Sequence, residues 1–372
     1  LKYFIPALIA LIFSACSTST GDDVPMIVLS ETPILSTNVE LEIGDSETYL
    51  AGNIASLVVM DDGTMLISDY ASVTIEQFSP EGEHMGTVAV EGGGPGELSN
   101  YFFLTNAGND TLIARQQSSM MIYYGRNGDG LFTFGRSFLP ERSGDRTYNM
   151  IGAKTENEFY ATSGQIVRNV EQTISNPVDY RESALLVVDG MNKVLRDSLH
   201  MLKTPNPHLV MMGGGFSVWS VPYRFQDRVV LLDDGGYMIA RPDSSYLAFY
   251  DSNHQLTDTI PLSIAPRPIT REDTDFALRN VRSEVKREIE ARVDDNKPPY
   301  LNLWASDNYI WLHTDTTEEG KEFLVINHDG EAAGRIMFSE YDTPYHFTDE
   351  RIYTLHKDPE MGDVIRVYSI DF

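Results

Sequence analysis

Residues 54–90 limit the possible folds more tightly than any other stretch of the chain. They read IASLVVM, a turn at Asp61-Asp62-Gly63, TMLISDY, TIEQFSP, a turn at Glu81-Gly82, and HMGTVAV. Alternating and β-branched apolar runs lie between residues that accept tight-turn backbone angles, which predicts four short antiparallel strands. One such sheet cannot bury both of its faces, so the chain must repeat it.

It does. The same pairing of a tight acidic or Asn turn with an apolar strand gives second strands at 64–70, 111–117, 158–164, 237–243, 309–315 and 351–358. Each is followed by a third strand rich in aromatic and β-branched residues, at 74–78, 120–124, 184–188, 246–250, 322–326 and 364–370. The first five units then turn into a fourth strand, whereas the sixth runs out of chain at Phe372. The segment VELEI at 39–43 alternates as a strand should. Placed on the last unit, it closes a ring that has no free edge. The fold class is therefore all-β: a six-bladed β-propeller of four-stranded antiparallel blades. A count of seven requires an insertion that hides a blade.

Composition sets the partners. The 372 residues carry a formal charge of −27, which repels nucleic acid and anionic lipid surfaces. Residues 1–15 hold one cation, Lys2, and a short apolar run, as a secretory signal peptide does. The run ends Phe13-Ser14-Ala15-Cys16, which resembles the bacterial lipobox, with phenylalanine in place of the usual leucine. The resemblance implies lipidation of Cys16, the only cysteine in the chain, and a membrane contact through that anchor alone. Residues 16–37 would then be the lipidated N-terminus and tether, and 38–372 the propeller. Asp22-Asp23 is a weak match to acidic surface-export signals. The expected location is the envelope of a Gram-negative bacterium, periplasmic or at the outer-membrane surface.

The first unit together with the loop Glu91-Gly92-Gly93-Gly94-Pro95-Gly96-Glu97 is similar to the NHL-like six-bladed propellers found in many bacterial lipoproteins. Residues 297–301 (KPPYL), followed by YIWL at 309–312, resemble a second region of the same group. The group is functionally heterogeneous, so the resemblance implies a fold and leaves the activity open.

In a four-stranded blade the first and third turns lie on one face of the disc. The second turn and the blade-to-blade connections lie on the other. All the tight turns are of the first kind; the long excursions, at 92–100, 139–147, 164–183, 204–225 and 264–299, are of the second. One face is trimmed and the other built up, and a site is expected on the built-up face above the central channel. The last excursion predicts a helical insertion between blades 4 and 5. Thr270 with Asp273 offers a capping box, and Phe276, Val281, Val285, Ile289 and Val293 form a stripe at near-helical spacing.

The candidate binding residues come from those excursions. His208, Tyr223 and Arg224 lie in the stretch densest in aromatics and glycine. Tyr300 and Trp304 bracket the inner strand of blade 5, and Arg146, with Arg142 and Arg168, falls in other built-up loops. Against these stands the plainer reading, that the aromatics pack the loops down and the arginines pair with nearby carboxylates. His84, His313 and His356 occupy structural positions. Asp61-Asp62 and Asp233-Asp234 are turn residues rather than calcium ligands, and the glycine-rich loop at 92–96 leads into a strand, so it offers no phosphate cradle. No nucleophile elbow, HExxH or CxxC occurs, and no cofactor motif is read.

Two functions follow. The first is a membrane-anchored lipoprotein whose propeller is a rigid binding or scaffolding module for a protein, peptide or glycan. The alternative is a metal-dependent propeller enzyme, lactonase-like or lyase-like, with its site in the central channel. That chemistry needs carboxylate, Asn or His ligands converging from the inner strands, and those strands are mostly apolar.

Overall fold

A computed structural model describes residues 25–45, 49–108, 110–116, 120–139, 146–155, 157–165, 178–191, 193–212, 215–359 and 362–372. The segment read as a signal peptide, Cys16, Arg142 and Arg168 lie outside the described residues.

The first strand, β1, is Ser36–Ile43. Blade 1 follows as β2 (Ile54–Val59), β3 (Met65–Asp69), β4 (Thr74–Phe78) and β5 (His84–Ala89). Blade 2 is β6 (Phe102–Asn106), β7 (Thr111–Gln116), β8 (Met121–Arg126) and β9 (Phe132–Phe138). Blade 3 is β10 (Arg146–Thr155), β11 (Glu158–Gln165), β12 (Tyr180–Asp189) and β13 (Val194–Pro205). A hairpin, β14 (His208–Met212) and β15 (Gly215–Trp219), precedes blade 4: β16 (Arg228–Leu231), β17 (Tyr237–Ala240), β18 (Tyr246–Tyr250) and β19 (Leu256–Pro261). Next come the two-residue strands β20 (Arg267–Pro268) and β21 (Asn296–Lys297), with the helices α1 (Arg271–Ala277) and α2 (Ser283–Glu290) between them. Blade 5 is β22 (Asn302–Ala305), β23 (Tyr309–Thr317), β24 (Gly320–Asn327) and β25 (Ala332–Phe338). Blade 6 has β26 (Asp342–Phe347), β27 (Arg351–Asp358) and β28 (Gly362–Asp371), and takes β1 as its outer strand.

The six four-stranded antiparallel sheets expected from the repeat are present, and β1 pairs with β28 from Ser36 opposite Asp371 to Ile43 opposite Ile365. The strand period explains the packing, because neighbouring residues of one strand serve two different interfaces. Leu66 of β3 is buried against blade 2, whereas Met65 and Ile67 are buried against blade 6. The same alternation gives each pair of adjacent blades its own apolar core. The core between blades 6 and 1 includes Ile43, so the closing strand brings apolar contact as well as hydrogen bonds.

The residues just before β1 are docked on the ring. Ile27 N donates to Ser263 O at 2.7 Å, Leu35 N donates to Arg335 O at 2.7 Å, and Ile27 and Leu29 are buried between blades 4 and 5. Of the stretch assigned to the tether, this part is packed as structure.

Where the stripe at 276–293 suggests one helix, the chain forms two short ones. The Thr270–Asp273 capping box is made, with Asp273 N on Thr270 Oγ1 at 3.1 Å and Thr270 N on Asp273 Oδ2 at 2.8 Å. The first helix stops after Ala277, which lets Leu278 turn inward beside Val285 and Ile289. Val210, Trp219 and Val221 cover that small core from the hairpin side.

Candidate functional site

Inner strands start on the built-up face and end on the trimmed one. Asp61, Lys154, Asp233 and Asp234, at the trimmed ends, border a channel cavity of about 660 Å³ that is otherwise walled by the inner strands. The acidic pairs there serve the turns, as their sequence context predicts: Asp62 Oδ1 accepts from Thr64 N at 3.0 Å, and Asp234 Oδ1 accepts from Gly236 N at 2.8 Å. Arg126 bonds Asp62, which holds that carboxyl down at about 2. Burial, then Asp61, Asp307 and Asp234, push the Asp233 carboxyl up.

A second cavity, of about 440 Å³, opens on the built-up face over blades 3 and 4. Its walls are the starts of the inner strands β10, β16 and β22, with the built-up ends of β11, β12 and β13. They carry Asn149, Thr162, Ser163, Arg181, Ser183, Thr204, Gln226, Asp227, Arg228 and Asn302. Arg228 donates from Nη2 to Leu301 O at 2.8 Å, and its Nε is buried without a partner. Burial pushes its guanidinium down, as it does for Arg115, whose Nη1 donates to Asn149 Oδ1 at 2.8 Å. Arg181 also has a buried, unpartnered Nε. None of Arg115, Arg181 and Arg228 pairs with a carboxylate among the described residues. Among the described residues Asp227 is the one acid in the lining: its Oδ2 accepts from Lys203 N at 3.0 Å and faces Arg241 Nε at 3.5 Å. Its Oδ1 is buried without a partner, and burial raises the carboxyl.

Of the residues singled out from sequence, His208, Tyr223, Arg224, Tyr300 and Trp304 do not line this cavity. His208 joins the hairpin to the helices, with Nε2 at 3.1 Å from Glu288 Oε2 and Nδ1 at 3.1 Å from Arg292 Nη1. Tyr223 takes the left-handed backbone at φ 59°, and its hydroxyl donates to Asp273 O at 3.1 Å, which ties α1 to the approach to blade 4. Arg224 donates from Nη2 to Asp179 Oδ1 at 3.1 Å and to Arg292 O at 2.7 Å, and its guanidinium lies over the Tyr180 ring. Burial opposes its charge, but Asp294, Tyr180 and Asp179 outweigh it and raise the group. Tyr300 is 2% exposed in the core between blades 4 and 5 with an unpartnered hydroxyl, which burial pushes up. Trp304 lines the channel cavity and packs on Phe347 at 5.0 Å. Arg146 opens β10, and its side chain lies outside the described residues. The histidines read as structural are partnered within their blades, His84 by Glu76 at 2.8 Å and His356 by Asp342 at 3.0 Å.

Sequence reading missed Arg181, Asp227 and Arg228. One signal was available: Arg228 begins the apolar run RVVL, and a cation at the head of an inner strand faces either the channel mouth or another blade.

No family model matches the chain, and no curated protein does. Among solved structures, it is similar to a Bacteroides fragilis protein assigned as exported, with 12% identity over 91% of this chain and 96% of the other and a TM-score of 0.49. It is similar to a Bacteroides vulgatus member of the DUF4221 family, with 11% identity over 92% and 99% and a TM-score of 0.49. It is also similar to a Xanthomonas campestris gluconolactonase, with 9% identity over 86% and 87% and a TM-score of 0.42.

Proposed function

We propose that this chain is a binding module: a rigid propeller, held to a membrane in the cell envelope through lipidated Cys16, that presents its built-up face to a protein, peptide or glycan. The observation that carries the reading is the cavity of about 440 Å³ on that face. Its volume is that of a small-ligand site, and its polar side chains come from separate strands of a rigid scaffold. Around it His208, Tyr223 and Arg224 fasten the hairpin and helices, so the rim is held in place.

The metal-dependent enzyme reading needs a converging ligand set. Among the described residues no group of three or more His, Cys, Asp or Glu is placed to hold a metal ion. No described helix is long and apolar enough to cross a membrane.

Glycan and peptide arrays probed with the full chain in detergent test the reading. Retention on either array that weakens in Arg228→Gln supports it; no retention on either overturns it. Stoichiometric calcium or zinc in the purified protein would turn the account toward the enzyme.

A further inference from the structure

The chain carries 55 acids against 28 lysines and arginines, so a basic side chain has no shortage of carboxylates within reach. The cations around the rim show this: Arg224 and Arg292 share Asp179, and Lys297 meets both Asp273 and Asp315. In the cavity over blades 3 and 4 the pattern breaks. Arg181 and Arg228 line it, and Arg115 reaches it through Asn149, yet none pairs with a carboxylate among the described residues. Arg181 Nε, Arg228 Nε and Asp227 Oδ1 are themselves shut off from solvent, so what the two arginines offer the cavity is their Nη groups. Two lining arginines that pair with no carboxylate among the described residues make this wall complementary to an anion supplied from outside.

The kind of anion follows from the rest of the lining. The cations at the cavity are arginines, whose planar forks match a carboxylate in two parallel hydrogen bonds. Lys203, whose backbone N donates to Asp227, has its ammonium over the Tyr180 and Phe225 rings at 4.6 and 4.4 Å. Asn149, Ser183, Gln226 and Asn302 add neutral donors and acceptors. Among the described residues the apolar lining is one side chain from each of four strands, Ile151, Leu202, Val229 and Leu303, and polar side chains outnumber it.

We infer that the cavity over blades 3 and 4 binds an acidic sugar, a hexuronate unit whose carboxylate lies between Arg181 and Arg228 and whose hydroxyls meet the amide and hydroxyl side chains. The inference rests on the reading of the built-up face as a binding face.

Titration calorimetry on the full chain in detergent, with digalacturonate as the probe, tests it. Binding is expected, weakening at least about tenfold in Arg181→Gln and in Arg228→Gln. It should also weaken as salt rises from about 0.05 M to about 0.5 M. Arg136→Gln, which removes a cation stacked on Tyr123 away from the cavity, should bind like the wild type. Arg228 also bonds Leu301 O, so thermal melting checks that its variant folds; if it does not, Arg181→Gln decides. Four results overturn the inference. They are equal affinity for the methyl ester of digalacturonate, tighter binding of glucose 6-phosphate, competition by trialanine, and no heat with digalacturonate. Retention of a neutral glycan or a peptide on the arrays, together with no heat here, would sink the acidic-sugar assignment alone. Silence in both assays would remove the binding module with it.

Discussion

His313 shows how far a single side chain ties the ring to pH. It lies in β23 with its imidazole stacked on Phe323 at 4.8 Å, and Nε2 lies 2.9 Å from both Asp315 O and Thr316 Oγ1. Burial lowers it to about 4. The folded chain therefore holds it neutral, while in the unfolded chain it takes a proton near pH 6.5. Its contribution is complete above 6.5 and is lost as pH falls from there toward 4, at about 1.4 kcal/mol per unit. His200, His254 and His346 are also pushed down by burial and act in the same direction. Urea denaturation at pH 7 and pH 5 should show a loss that His313→Gln narrows by about 2 kcal/mol. An unchanged difference would contradict this account of the buried imidazole. Such a role has no sequence motif; the alternation YIWLHTD places His313 on a blade but does not say what covers it.

At the scale of elements, the decisive one is β1. Without it β28 would present a bare edge, a template for pairing with other chains. Its last residue, Ile43, is 5% exposed in the core between blades 6 and 1. Ile43→Ala should cost about 3 kcal/mol of unfolding free energy. Removal of residues 25–43 should give aggregated protein by size-exclusion chromatography; a monodisperse species with unchanged melting would contradict the closure. This strand was legible because a sixth unit that lacks one strand needs a donor, and VELEI is the alternating segment left over. The helical excursion was legible only in part. Its cap was readable, but the stripe at 276–293 did not reveal that Leu278 turns inward and divides the helix, since that depends on Val210 and Trp219 from a distant hairpin.

At the scale of the whole molecule, the sorting of turns predicts a site on the built-up face above the central channel; a cavity does lie on that face, but over blades 3 and 4, whereas the channel cavity is bordered by the trimmed ends. The particular residues were not legible. Asn149, Arg181, Arg228 and Asn302 are far apart in sequence, and each alone reads as an ordinary strand or loop residue. Only the ring closure and the blade registers bring them to one wall. The excursion densest in aromatics and glycine stood out in the sequence, but the structure uses His208, Tyr223 and Arg224 to brace the rim beside that wall. The central claim is that the cavity is where the molecule meets its ligand. Hydrogen–deuterium exchange of the full chain, with and without saturating digalacturonate, tests it most directly. The account predicts slower exchange at 149–151, 181–183 and 226–229, with the trimmed-face turns at 61–63 and 233–235 unchanged. Protection confined to those turns, or none anywhere, would contradict it.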